Sequence, residues 1–197
     1  MKHDVYDNAS DSTTITRRPG SEARTGGPQS DVEKQAMMKK AEAAGSPGPG
    51  HKALEHYVGN WKCDVKCWMD PNGQPEQSQG TSKVTWLMGG RYLHEEFKGS
   101  MMGRPFNGRC LLGFNNIKQT YQSVWFDDMN TAMFVSEGKG DSKQITLEGK
   151  SSCPATGRTD IPMRVVIRTV SPDKHTFEMF DGGQGYVRTM EITYTRQ

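Results

Sequence analysis

The sequence contains no apolar run approaching the roughly 18 residues of a membrane-spanning helix, so no helical span is expected. Its opening, MKHDVYDNAS, has no hydrophobic stretch behind Lys2 to serve as a signal peptide, and a cytoplasmic location is expected. Charge of one sign is scarce as well. The 25 Lys and Arg against 23 Asp and Glu leave a net charge of +2 and a pI of about 8.3. That balance is too mild to hold nucleic acid or an anionic membrane, and neither is expected as a partner. There is no glycine-rich phosphate loop opening a helix and no Gly-x-Ser-x-Gly elbow. The histidines His3, His51, His56, His94 and His175 show no pair at metal-ligand spacing, so neither a metal nor a cofactor is expected. The four cysteines of a cytoplasmic chain should be thiols.

Apolar content is low, at 33%, and unevenly distributed. Of 17 aromatic residues, 16 follow position 50, and Tyr6 stands alone before it. Three regions result. Residues 1–30, rich in Ser, Thr, Gly, Asp and Arg without an apolar face, read as a disordered polar tail. Residues 31–50 read as a short helix, DVEKQAMMKKAEAA, which Asp31 can cap, and a linker, GSPGPG, which no helix can cross. Residues 51–197 then form the folded domain, opening with a short lid-like helix at HKALEHYVG.

The stretch Gly59–Met69, GNWKCDVKCWM, alternates as a half-buried strand does. Trp61, Cys63, Val65, Cys67 and Met69 take one side, while Asn60, Lys62, Asp64 and Lys66 take the other. Cys63 and Cys67 lie four residues apart on one strand, about 13 Å at ~3.3 Å per residue. That exceeds the ~7 Å a disulfide can bridge, and the two read as small buried hydrophobes. No His–Cys motif accompanies Cys110 or Cys153, so neither is expected to be a nucleophile.

After Gly59 every periodic segment is strand-like. Further strands are expected at about 79–88, 91–98, 105–114, 120–126, 132–137, 144–150, 163–170, 175–180 and 186–195, with SSCPATGRTD as a loop. Connections of hairpin length exclude parallel crossovers, which need a dozen or more residues each. Ten short strands in an antiparallel meander hide their edges best by closing. The expected fold is all-β: a closed antiparallel up-and-down barrel of about ten strands behind a short N-terminal lead-in helix. A barrel that wide should keep interior space.

The segments HKALEHYVGNWKCDV, VTWLMGGRYLHEEFKGSMMGRPFNGRCLLGFNN, YQSVWFDDMNTAMFVSEG, DKHTFEMF and MEITYTR carry a resemblance. From His51 onward the chain resembles a bacterial family known as domain of unknown function 1579. The resemblance implies a lipocalin- or nitrobindin-like (calycin-type) barrel in which Trp61 packs as a plug rather than as a site. It carries no settled activity. Nitrobindin-like barrels hold haem through a histidine near the chain end. The last strand here, GYVRTMEITYTRQ, has none, and haem is not expected.

Within a barrel, alternation separates Glu95 from Glu96, so one of the two must face inward. A buried carboxylate costs several kcal/mol unless it is paired or protonated. Arg91, Arg109, Arg164, Arg168 and Arg188 are candidate partners, with Arg164 and Arg168 on one strand face. Tyr121, Ser123, Trp125 and Asp127 share another face, although Asp127 suits a turn equally well. Trp86 and Tyr92 add stacking surface. Tyr186, Arg188, Met190, Ile192 and Tyr194 share a face of the last strand, and Gly99 and Gly103 are candidate hinges beside Met101 and Met102. The candidate ligand-binding residues are therefore Trp86, Tyr92, Glu95, Glu96, Tyr121, Trp125, Asp127, Arg164 and Arg168.

The expected function is binding of a small, partly apolar, cationic or hydroxylated ligand in the barrel interior, without a defined reaction. The alternatives are a cofactor-free enzyme using an interior carboxylate as general acid and base, and a protein-interaction module; self-association as a homodimer is left open.

Overall fold

The computed structural model describes residues 30–154 and 156–197. The disordered tail expected over residues 1–30 lies, apart from Ser30, outside them. Helix α1 (Asp31–Gly45) buries none of its residues. Ser30, not Asp31, caps it: Glu33 N–H donates to Ser30 Oγ at 3.3 Å, while Ser30 N–H donates to Glu33 at 2.9 Å. Reciprocal satisfaction of two orphan donors explains the choice. Helix α2 (Pro49–Lys52) starts inside the expected linker, because proline tolerates the first helical turn. A single 3-10 turn at Glu55–Tyr57 follows.

Ten antiparallel strands come next: β1 (Gly59–Cys67), β2 (Glu76–Leu87), β3 (Tyr92–Met101), β4 (Arg104–Asn115) and β5 (Thr120–Asp127). The second half comprises β6 (Phe134–Gly140), β7 (Gln144–Cys153), β8 (Arg158–Ser171), β9 (Lys174–Asp181) and β10 (Val187–Arg196). Each pairs with its neighbour in sequence, and β1 pairs with β10 from Trp61↔Arg196 to Cys67↔Met190, closing the barrel.

Four local expectations change. SSCPATGRTD is largely strand, the end of β7 and the start of β8, rather than a loop. Met69 falls in the turn beyond β1 and is exposed. Met102 and Gly103, with φ of 52° and 72°, form the two-residue tip of the β3–β4 hairpin, whose paired positive φ values match the sheet twist. Gly99 is no hinge, since it sits in the β3–β4 ladder opposite Phe106. On β10 a bulge shifts the register between Arg188 and Met190, so Arg188 leaves the face of Met190, Ile192 and Tyr194. One extra residue in a strand reverses every side chain beyond it.

One barrel end is plugged. Leu54 and Trp61 are fully buried there, and Tyr57, His51, Tyr121 and His175 are buried with them. Trp61 Nε1 donates to Tyr57 O at 2.8 Å. The Arg196 guanidinium lies 4.2 Å from the Trp61 ring and donates to Val58 O and His56 O. His175 stacks on Tyr194 at 4.2 Å and meets Trp61 edge-on at 4.3 Å. This packing holds the His175 imidazole neutral, with a pKa lowered to about 3 chiefly by burial.

Candidate ligand-binding lumen

Away from the plug several inward side chains keep accessible surface, while Val65, Phe97, Phe106 and Leu112 of the same interior are buried. The inward-facing residues Cys67, Met190, Met179, Phe177, Cys110, Trp125 and Phe134 are half-buried, whereas Cys63, Ile145 and Leu147 above them are essentially inaccessible. The rings on one wall pack against each other: Phe97, Phe106 and Trp125 have centroids 5.9–6.4 Å apart. Gly108 makes this arrangement possible. A Cβ there would sit 2.2 Å from Trp125 Cη2, so only glycine lets the indole lie flat against β4.

Of the two adjacent glutamates, Glu95 faces inward. It pairs across the ladders with Val84 and Cys110, both on the inner side. Protein surrounds its carboxyl, yet the residue keeps accessible surface, as expected of a group lining a cavity. Ser82 Oγ donates to Glu95 Oε1 at 2.7 Å, and the Tyr194 hydroxyl donates to the same oxygen at 3.2 Å. Among the described residues no Lys or Arg pairs with it. Burial raises its pKa above the usual carboxylate range, and the two hydroxyl donors only partly offset this. The same enclosure pushes the Tyr194 phenol and the Cys63 and Cys110 thiols upward, with the nearby Glu95 adding to the effect. The thiols are therefore weak nucleophiles. The arrangement combines one carboxyl whose pKa burial raises, two hydroxyls and two thiols, with aromatic surface on the wall nearby.

Of the other residues singled out from the sequence, Trp125 and Asp127 stand at the end away from the plug. Asp127 Oδ2 accepts from Trp125 Nε1 at 2.8 Å, while Oδ1 accepts from Met129 N–H at 3.0 Å, so one carboxylate both orients the indole and caps the turn. Tyr121 belongs to the plug, its hydroxyl donating to Gly50 O at 3.3 Å. Trp86 is half-buried at the same end, beside Pro47, Gly48 and His51. Tyr92, Glu96, Arg164 and Arg168 lie on the outer face, away from the lumen. Tyr92 is exposed and covers Gly113. Glu96 faces Arg109 at 3.6 Å. Arg164 binds Glu148 at 2.8 Å, and Arg168 binds Glu178 and Gln144. Arg164 and Arg168 follow the alternation outward, where the carboxylates of Glu148 and Glu178 meet them. Ser82 and Tyr194 are the site residues the sequence reading passed over. Tyr194 already stood on the face of Ile192, and closure of β10 against β1 brings it to Glu95.

A family model described as "Protein of unknown function (DUF1579)" matches residues 46–196. No curated protein matches the chain. Among solved structures, Rv2717c from M. tuberculosis superposes with a TM-score of 0.56 at 16% identity, covering 77% of this chain and 99% of that one. The S-type phycobiliprotein lyase CPES from Guillardia theta gives 0.47 at 12% identity, covering 74% and 91%. A de novo designed fluorescence-activating β-barrel gives 0.43 at 14% identity, covering 74% and 97%. At these identities the likeness to Rv2717c concerns the fold alone.

Proposed function

The chain belongs to the DUF1579 family of proteins of unknown function, and from that premise we propose that its barrel interior binds one small, partly apolar molecule. The observation that carries this reading is Glu95: a carboxyl enclosed by protein, with no Lys or Arg paired to it among the described residues, in a residue that is only half-buried. A structural buried acid is normally paired with a cation. An acid without a paired cation beside accessible aromatic and thioether surface fits a site that holds a partly apolar molecule by its polar end. The molecule enters at the end ringed by Cys67, Trp125, Phe134 and Met190. Its apolar part lies against Trp125, Phe177 and Met179, and its polar part reaches Glu95.

Native mass spectrometry of the protein purified from its own host tests this reading. One adduct per chain is expected. Cys110→Phe, which fills the lumen next to Glu95, should lose it while keeping its far-UV spectrum. Bare mass in both proteins counts against the reading.

A second reading, a cofactor-free enzyme with Glu95 as general acid and base, is favoured by one observation. The Tyr194 phenol, 3.2 Å from a carboxyl whose pKa is raised, supplies a hydrogen-bonded pair of proton donors inside the lumen. The test is whether the wild type changes the mass of the co-purifying molecule while Glu95→Gln returns it unchanged.

A further inference from the structure

The charged residues of the barrel divide by face. Outside, Arg109, Arg164, Arg168, Arg188 and Lys66 are engaged by Glu96, Glu148, Glu178 and Glu191. Inside, the described residues place Glu95, with Asp127 at the rim; the Arg196 guanidinium over Trp61 in the plug is held by the Val58 and His56 carbonyls, and no Lys or Arg pairs with Glu95. The groups facing Glu95 are Cys63 from β1, Ser82 from β2, Cys110 from β4 and Tyr194 from β10, all neutral near neutral pH.

The hydrogen bonds inside the lumen are also polarised. Ser82 and Tyr194 both spend their donors on Oε1, which leaves Oε2 without a described partner. A proton on the carboxyl therefore sits on Oε2. Two donors converging on one oxygen also suit the ionised form. What the site lacks for ionisation is a counter-charge: among the described residues no Lys or Arg pairs with Glu95. Barrels that take up carboxylates or phosphates need a guanidinium or ammonium inside to receive them. Glu95 offers such an anion no counter-charge, and a second negative charge once it ionises.

We propose that the lumen selects its ligand by charge, taking a partly apolar amine or nitrogen-heterocyclic base whose nitrogen meets Glu95 Oε2, and rejecting carboxylates, sulfonates and phosphates. The proposal rests on the reading of the interior as a binding site. A neutral base arriving at Oε2 takes the proton: the O–H bond breaks, an N–H bond forms, and an ammonium–carboxylate pair remains with Oε1 held by two hydroxyls. A ligand that arrives already protonated displaces the Oε2 proton to solvent and leaves the same pair. Trp125, with Phe97 and Phe106 behind it, presents π surface that favours a cation over an anion in a desolvated setting.

Three naphthalene probes of similar size test the proposal near neutral pH: naphthylethylenediamine as the cation, phenylnaphthylamine as the neutral probe and anilinonaphthalene sulfonate as the anion. Affinities are read by calorimetry against wild type and Glu95→Gln. The expected order is cation, neutral, anion, with the cation at least about tenfold tighter than the anion. Glu95→Gln should weaken the cation about tenfold or more and leave the neutral probe within about twofold. Binding of the neutral probe with no preference for the cation, or an equal loss of cation and neutral probe in Glu95→Gln, overturns the charge selection but leaves the binding reading standing. Failure of all three probes to bind wild type overturns the binding reading itself. The order of the three probes on wild type decides the matter even where the variant folds poorly.

Discussion

Replacing Glu95 by Gln removes one titrating group from the lumen while keeping its shape and an acceptor oxygen for Ser82 and Tyr194. The carboxyl has an ordinary pKa of 4.5 in the unfolded chain, and burial raises it in the native protein. Between those two values the unfolded chain has released a proton that the native protein keeps. Rising pH therefore favours unfolding in that window: stability is fully present below about 4.5 and is lost as pH climbs through the native pKa. One proton sets the slope, about 1.4 kcal/mol per pH unit. His175 tilts the curve the other way. Its native pKa of about 3 against 6.5 means stability that is present above 6.5 and is lost as pH falls toward 3. Because both proteins share His175, the difference in their unfolding free energies isolates Glu95. Urea transitions followed by tryptophan fluorescence from about pH 5 to 9 should show Glu95→Gln gaining on wild type by up to about 1.4 kcal/mol per unit. The gain should level off above the native pKa. Parallel curves across the whole range would mean that the carboxyl ionises equally in both states, and the reasoning would fail.

Glu178, only 15% exposed, holds both Arg168 and Arg188 on the outer wall, so Glu178→Gln should cost about 1–3 kcal/mol in urea. Part of that cost should vanish in high salt, and a loss within error would show the network to be ornamental. Trp61→Phe leaves the Tyr57 carbonyl without its indole donor under the plug, and a loss of roughly 1–3 kcal/mol is expected; an unchanged urea midpoint would contradict the plug. Gly108→Ala puts a methyl where the Trp125 indole lies, so the ring must swing off the wall into the lumen. The expected readout is a shifted tryptophan emission and weaker binding of phenylnaphthylamine, and unaltered emission would argue against that packing.

The barrel was legible in the sequence because strand alternation has a period of two and the turns carry their own residues. In GNWKCDVKC the polar and apolar positions separate without exception, and the strand follows that pattern with Trp61, Cys63 and Val65 buried. What alternation leaves undecided is which side is inside when both carry polar groups, as with Glu95 and Glu96. The ladder settles that pair, because Glu95 shares its side with buried Val84 and Glu96 shares its side with Arg109. A bulge is harder still. Nothing in YVRTMEITY marks the extra residue that turns Arg188 outward to Glu178 and Glu191. The contact of Tyr194 with Glu95 spans 99 residues and exists only once the first and last strands meet. Local pattern holds no record of such a contact. Capping followed finer rules than acidity alone, since the Ser30–Glu33 box outcompetes Asp31 for the start of α1.

A bound probe can report directly on where it sits. With isotope-labelled protein and phenylnaphthylamine, intermolecular nuclear Overhauser contacts distinguish the two sides of the same strands. Contacts to Trp125, Phe177 and Met190, with silence from the outward residues Leu111, Phe126 and Val135, are the predicted result. Contacts to Leu111, Phe126 and Val135 with silence from the inner set would place the molecule on the outer wall and contradict an accessible lumen.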